Sequence, residues 1–254
     1  MSIELIKQLR DDTGLSVMQC KKALEEADGD IEKALILLKK KSSEAAAKKA
    51  DRDTSAGRVT VVTNGGKTCI LSLQCETDFV GKNDDFITLA DSLANYALEN
   101  GTEKLITDAG ELINPVVQKI GENIKIGKVD VVEGGVMGSY VHNGSIGVLV
   151  QLQGGDESLA KDIAMHISAM RPSYIAKENI PAETLQKVKE TFAGEVDNSK
   201  PQEIQEKILK GKVDSYFKEQ TLMEQMFIKD PSKSINQLIS EKGANLVTYL
   251  MYQI

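Results

Sequence analysis

Few side chains in this sequence are equipped for covalent or acid–base chemistry: His142, His166, Cys20, Cys69 and Cys75. Nucleophilic catalysis needs a hydroxyl or thiol beside a base. A metal site needs ligands at set spacings, and a phosphate loop needs a Gly-rich turn ending in Lys-Ser/Thr. None of these patterns occurs. Gly144-Ser145-Ile146-Gly147 lacks the G-x-S-x-G spacing of a nucleophile elbow. His142 falls in a predicted hairpin turn, where a solvated side chain is the default, and His166 reads as a packed or partly exposed helix residue. Cys69 and Cys75 lie an even number of residues apart on one predicted strand, so they share a face. They read as small buried apolar residues in preference to a redox pair. What remains is recognition chemistry at Thr77-Asp78-Phe79-Val80. This segment sits between the strand-like run Thr68–Cys75 and the helix-opening sequence Gly81-Lys82-Asn83-Asp84-Asp85. A Phe at such a junction is either held out on a connecting loop for contact, or is a hydrophobic staple closing onto the next helix.

The elements that must carry this segment belong to a soluble globular composition, with 27% charged and 41% apolar residues over 254 positions. That length suits two or three compact units. Trp is absent and aromatics are 4%, which leaves little for base stacking, and a net charge of −7 disfavours the phosphate backbone. Direct nucleic-acid binding is therefore not expected. Three sparse thiols without a CxxC pair argue for a reducing compartment and against zinc. The N-terminus lacks a signal peptide's basic start and long apolar run, and no stretch approaches the ~18 apolar residues of a membrane span. The expectations are a cytoplasmic protein with no membrane association, no metal and no cofactor.

Residues 1 to about 41 predict three short helices. Ile3, Ile6 and Leu9 line the first, which breaks at Thr13-Gly14. Ser16-Val17-Met18-Gln19 has the form of a capping box for the second, carrying Cys20, Ala23, Leu24 and Ala27. Asp28-Gly29-Asp30 stops it and caps the third, lined by Ile31, Ala34, Leu35 and Leu38. This small module is like the ubiquitin-associated type. Leu15, Val17 and Met18 form either an exposed contact patch or part of its core. Lys39 to Arg58 is locally basic and reads as a solvated linker, partly helical through Ala45-Ala46-Ala47.

The middle of the chain holds a cryptic duplication. Strand Arg58–Thr63, turn Asn64-Gly65-Gly66 and strand Thr68–Cys75 precede a helix with Phe86, Leu89, Ala90, Leu93 and Ala97. Strand Val136–Val141, turn His142-Asn143-Gly144-Ser145 and strand Ile146–Gln153 precede a helix with Leu159, Ile163, Ala164, Ile167 and Met170. Asn-Gly marks both turns. Each copy is a hairpin covered by a helix, so the fold class is α+β. The second copy joins strand to helix through a plain turn, Gly154–Ser158, so the fold itself does not require the apolar Phe79. Pro115 to Val132 lies between the copies, and Pro172 and Pro181 bracket a break after them. Leu185, Val188, Phe192 and Val196, a turn at 197–201 with Pro201 at the first helical position, then Ile204, Ile208, Val213 and Phe217 predict an antiparallel helical hairpin interrupted at Gly211. A short helix (Ile235, Leu238, Ile239), a Gly243 stop and a strand from Asn245 to Ile254 complete the chain. The predicted division is 1–54 helical module and linker, 55–132 first core subdomain, 133–180 start of the second, 181–224 helical hairpin, and 225–254 completion of the second.

Five motifs, in order, resemble the elongation factor Ts family over nearly the whole chain. They are Leu9–Gly14 with Met18–Leu24, Gln74–Val80, Lys119–Ile124, Gly138–His142 and Ile163–His166. The resemblance implies a non-enzymatic exchange factor that binds the GTPase elongation factor Tu and promotes GDP release. It implies that Asp78 and Phe79, with Thr77 and Val80, intrude near that GTPase's magnesium site. Thr13, Val17, Met18 and Lys21 of the N-terminal module would bind its nucleotide domain, and Ile120, Gly121 and His142 would belong to the core surface that contacts it. The helical hairpin is associated with dimer contacts in some members, which makes a dimer or a 2:2 complex an expectation. Many members continue past the strand that ends at Ile254 into a further segment that also touches the GTPase, and the resemblance does not carry that contact over to this sequence. Two other readings of the residues are an adaptor whose helical module recruits partners without exchange, and a thiol enzyme built on Cys69 and Cys75.

Overall fold

The computed structural model describes residues 2–197, 199 and 201–254. Its chain divides into two compact units: one runs to Gly134 and includes Val141–Gly147 and Tyr252–Ile254, the other comprises Gly135–Tyr140 and Val148–Met251. The fold is α+β, as the hairpin-plus-helix pattern predicts.

The first unit opens with α1 (Ile3–Thr13), α2 (Val17–Glu26) and α3 (Ile31–Ala47). Local signals explain their bounds. Gly14 closes α1 in the left-handed conformation, the Ser16–Gln19 capping box opens α2, and Asp30 caps α3 by accepting from Lys33 N. Leu9, Leu15, Cys20, Ala23, Leu24 and Leu38 form the small core. Leu15 is therefore core, whereas Val17 and Met18 stay on the surface, 49% and 72% exposed. The basic stretch departs from expectation. α3 runs on through Lys39–Lys41 to Ala47, so the predicted solvated linker is half packed helix. It buries Ser42, and Lys39 Nζ and Ser43 Oγ meet Glu111 and Asn114 at 3.0 and 3.3 Å.

Next come β1 (Ala56–Asn64), β2 (Lys67–Cys75), α4 (Asp78–Gly81), α5 (Asp84–Asn100), α6 (Thr102–Ile120) and β3 (Ile124–Glu133). The strands form an antiparallel sheet in the order β1-β2-β3, with Ala56 opposite Cys75 and Cys75 opposite Ile124. Phe86, Leu93, Leu105, Val117 and the inner face of β2 make its core. The first hairpin turns on Gly65-Gly66, both at positive φ, not on Asn64, which still pairs with Lys67. The second turns on Asn143-Gly144 as predicted. The sequence signals miss α6 and β3, because Pro115 reads as a boundary. In the structure Pro115 lies inside α6, whose Leu105, Ile113 and Val117 are buried. That packing outweighs the lost backbone donor.

After β4 (Val136–His142) and β5 (Ile146–Gln153) come α7 (Glu157–Met170), α8 (Ala182–Ala193) and α9 (Gln202–Gln220). Then follow β6 (Met226–Phe227), β7 (Asp230–Ser234), α10 (Ile235–Glu241) and β8 (Asn245–Gln253). The second sheet has the order β4-β5-β8. The helical hairpin is present: Phe192 and Tyr216 rings meet at 5.8 Å, and Lys212 pairs with Glu195 at 2.7 Å. α9 passes through Gly211 without the predicted interruption, and Pro201 is its N-cap residue, one position earlier than expected. Within the predicted turn at 197–201, Asn198 and Lys200 lie outside the described residues.

His166 on α7 is fully buried. Its Nδ1 accepts from Ile228 N at 3.2 Å, so Nε2 carries the proton and donates to Gln225 Oε1 at 2.9 Å. Burial holds its pKa below the ordinary value of 6.5. The unfolded chain therefore takes up a proton at a pH where the folded chain stays neutral. This contribution to stability is fully present above about pH 6.5 and is lost as pH falls through the folded pKa. The denaturation midpoint is expected to drop between pH 7.5 and 5.5, and the drop to shrink in His166→Gln.

Candidate functional site

α4 is a single turn, and an isolated turn of this length does not hold itself. Its neighbours hold it. Thr77 caps it, with Oγ1 accepting Val80 N–H at 3.5 Å, and Val80 packs against the core of the first sheet. Thr77 O accepts from Cys75 Sγ at 3.1 Å. Gly81 lies directly on β1: a Cβ there would stand 2.8 Å from Gly57 O, so only glycine permits this approach. The predicted loop is thus a short helix clamped to the sheet. Its Phe79 side chain is 82% exposed, which excludes the staple reading. Asp78 beside it is also exposed, and a hydrogen bond from Lys82 Nζ at 2.7 Å holds its carboxyl below the ordinary carboxylate pKa.

The clamp involves three residues that the site prediction leaves out. Glu122 Oε2 accepts from Glu76 N at 3.1 Å and from Thr77 N at 3.0 Å, while its Oε1 accepts from Thr77 Oγ1 at 2.7 Å. In return, Glu76 Oε1 accepts from Asn123 N at 2.6 Å and meets Arg52 at 3.3 Å. The buried Asn123 amide donates to Ala50 O and Arg52 O at 3.2 and 2.8 Å, tying in the chain that leaves α3. Glu122 and Asn123 lie inside a recognised motif, but nothing local in the sequence pairs them with Glu76 and Thr77.

Several predicted contact residues converge on this corner. Gly121 closes α6 in the left-handed conformation and leads directly into Glu122, and Ile120 packs partly into the core of the first sheet. Lys119 Nζ pairs with Asp85 on α5 at 2.7 Å and lies 3.2 Å from where a Gly14 Cβ would be. The end of α1, with Thr13 bonded back to Leu9 O, therefore adjoins the end of α6. The turn after His142 reaches the same strand as α4: Val59 N donates to Gly144 O at 2.7 Å, two residues along β1 from Gly57. His142 is exposed at that turn. Val17, Met18 and Lys21 sit apart from this set, on α2, where Lys21 makes an exposed ion pair with Glu25 at 3.8 Å. No bond from them to α4 is recorded among the described residues.

Reactive chemistry finds no support at the cysteines. All three are buried, and burial pushes the Cys69 thiol up to about 12 and the Cys75 thiol to about 11. Neither supplies a thiolate near neutral pH, which removes the basis of a thiol mechanism. Among the described residues, no group of three or more His, Cys, Asp and Glu side chains is arranged to hold a metal ion. None of the described helices is long and apolar enough to cross a membrane. What the corner offers is a rigidly mounted, solvated aromatic ring with a carboxylate beside it.

Residues 76–254 match the family model described as Elongation factor TS. Over 260 residues the chain is 42% identical to elongation factor Ts of Alcanivorax borkumensis, covering 96% of this chain and 91% of that protein. It is 38% identical to elongation factor Ts of Idiomarina loihiensis, covering 98% of this chain and 89% of the relative. The corresponding protein of Alkalilimnicola ehrlichii is 37% identical, with all of this chain and 92% of the relative covered.

Proposed function

The chain belongs to the elongation factor Ts family and is a translation elongation factor, and from this premise we propose that it binds the GTPase elongation factor Tu and promotes release of GDP by disturbing the GTPase's magnesium and phosphate site. The observation that carries the proposal is Phe79: 82% exposed, unpacked, and mounted on a turn that the rest of the unit holds in place. A large aromatic side chain presented at a fixed position is the kind of anchor that carries binding energy when a partner covers it.

Exchange requires no acid, base or metal ligand on the exchanger. It requires tighter binding to the nucleotide-free GTPase than to the loaded one, and the coupling is reciprocal: whatever loosens GDP is loosened by GDP. Burying Phe79 contributes roughly 1.5–3 kcal/mol. Shifting a 1:99 equilibrium to 99:1 takes about 5.5 kcal/mol, so the wedge needs help. Val17, Met18 and Lys21 on α2, together with Thr13, Ile120, Gly121 and His142, are the surface we assign to the remaining contact. Phe79 displaces side chains that support the phosphate and magnesium site, and Asp78 adds a polar contact or an electrostatic disturbance beside it.

Stopped-flow release of fluorescent GDP from elongation factor Tu tests this. Addition of the chain is expected to raise the release rate with saturation. A rate unchanged at saturating chain concentration would refute the proposal.

A further inference from the structure

Phe79 owes its position chiefly to its backbone, because its side chain is 82% exposed. Whatever fixes the direction of the Thr77–Phe79 backbone therefore fixes the wedge. Val80, Gly81 and the Cys75 contact set the depth of α4 against the sheet. The first turn of α4 is held by the long 3.5 Å cap bond, by Gly81 N donating to Thr77 O at 3.3 Å and by Lys82 Nζ donating to Asp78 at 2.7 Å, and the backbone that enters it is held by the Glu122 carboxylate. Its two oxygens receive Glu76 N–H, Thr77 N–H and the Thr77 hydroxyl at 2.7–3.1 Å. Bonds to an ionised acceptor are about twice as strong as neutral ones. Two N–H bonds converging on one oxygen also restrict rotation of the two peptide planes that carry them, Cys75–Glu76 and Glu76–Thr77.

Resting on the exchange reading above, we propose that Glu122 is a positioning residue for exchange, aiming Phe79 by clamping the backbone that enters α4. Glu122 touches neither nucleotide nor metal in this account. It acts through Phe79, from a loop whose own position is locked by Glu76 and the buried Asn123. The three donors it serves are partly solvated, so water replaces the carboxylate when it is removed. The fold survives that replacement while the aim is lost.

The test compares Glu122→Ala, Glu122→Gln, Phe79→Ala and the double variant Glu122→Ala/Phe79→Ala. All are measured for release of fluorescent GDP from elongation factor Tu and for amide hydrogen exchange in the free chain. In E122A the maximal stimulated rate is expected to fall about tenfold while the half-saturating concentration moves less than about twofold. E122Q, which keeps an oxygen for the two N–H groups, should restore most of the loss. On the F79A background E122A should cost nothing more, since a residue acting through Phe79 has no effect without it. In free E122A the Thr77 amide should exchange at least about tenfold faster than in the parent. Additive losses, an effect confined to half-saturation, or an unchanged Thr77 exchange rate would each overturn the positioning role. If the parent chain itself fails to release GDP, the exchange reading falls. Full stimulation by both parent and E122A instead removes Glu122 alone.

Discussion

Phe79→Ala is expected to reduce the maximal rate of GDP release from elongation factor Tu by about 10- to 150-fold, the kinetic equivalent of the roughly 1.5–3 kcal/mol carried by a buried Phe. The affinity of the complex should fall by less. The ring is 82% exposed in the free chain, so its removal opens no cavity and leaves no polar group unpaired. Thermal unfolding of F79A should therefore coincide with that of the parent. This separates the wedge from ordinary contact residues: Met18→Ala, at a 72% exposed position on α2, should raise the half-saturating concentration and spare the maximal rate. Equal losses of rate and affinity in F79A would refute a wedge, because a wedge acts on the release step more than on formation of the complex.

A second large effect is expected in the other unit, on stability. At Gly138, on β4, an added Cβ would stand 2.3 Å from Ala160 C and Lys161 N and 2.5 Å from Ala160 Cβ, all on α7. Here strand and helix backbones touch, and no flexible side chain can move aside. Gly138→Ala should destabilise by about 3 kcal/mol or more in urea unfolding, at or beyond the upper end of ordinary overpacking. Gly211→Ala is the matched control. Nothing lies within 4 Å of its Cβ position, and α9 is continuous there. Replacing an open helical glycine by alanine should stabilise by about 0.5–1 kcal/mol. The same substitution is thus expected to have opposite signs at two glycines. A neutral G138A would mean that β4 and α7 do not meet at that point.

Much of this fold is legible because its signals are local. Gly14, the Ser16–Gln19 box and Asp30 each decide their own helix end within one turn of chain. The apolar spacing of Phe86, Leu89, Ala90, Leu93 and Ala97 places the buried face of α5. Where local rules mislead, packing is the reason. Pro115 and Gly211 both argue for a break, yet α6 and α9 continue. The basic stretch after Leu38 argues for solvent, yet α3 lies on α6. Each is a weak local preference overruled by contacts with residues distant in sequence.

The site divides along the same line. By itself the sequence determined which residues are available: no base, nucleophile or metal set, and a Phe beside an Asp at a strand–helix junction that its sister copy builds without the Phe. It also determined the family, through five ordered motifs. It left open whether Phe79 points in or out, and whether Leu15 joins Val17 and Met18 on the surface. Tertiary structure alone decided these. It turned Phe79 to solvent and Val80 to the core, seated α4 on Gly57, and brought Glu122 from the end of α6 to the backbone of Glu76 and Thr77. The physical reason is range. Caps and periodicity act over a few residues of one segment, whereas the direction of an exposed side chain is set by whichever distant groups happen to bond its backbone.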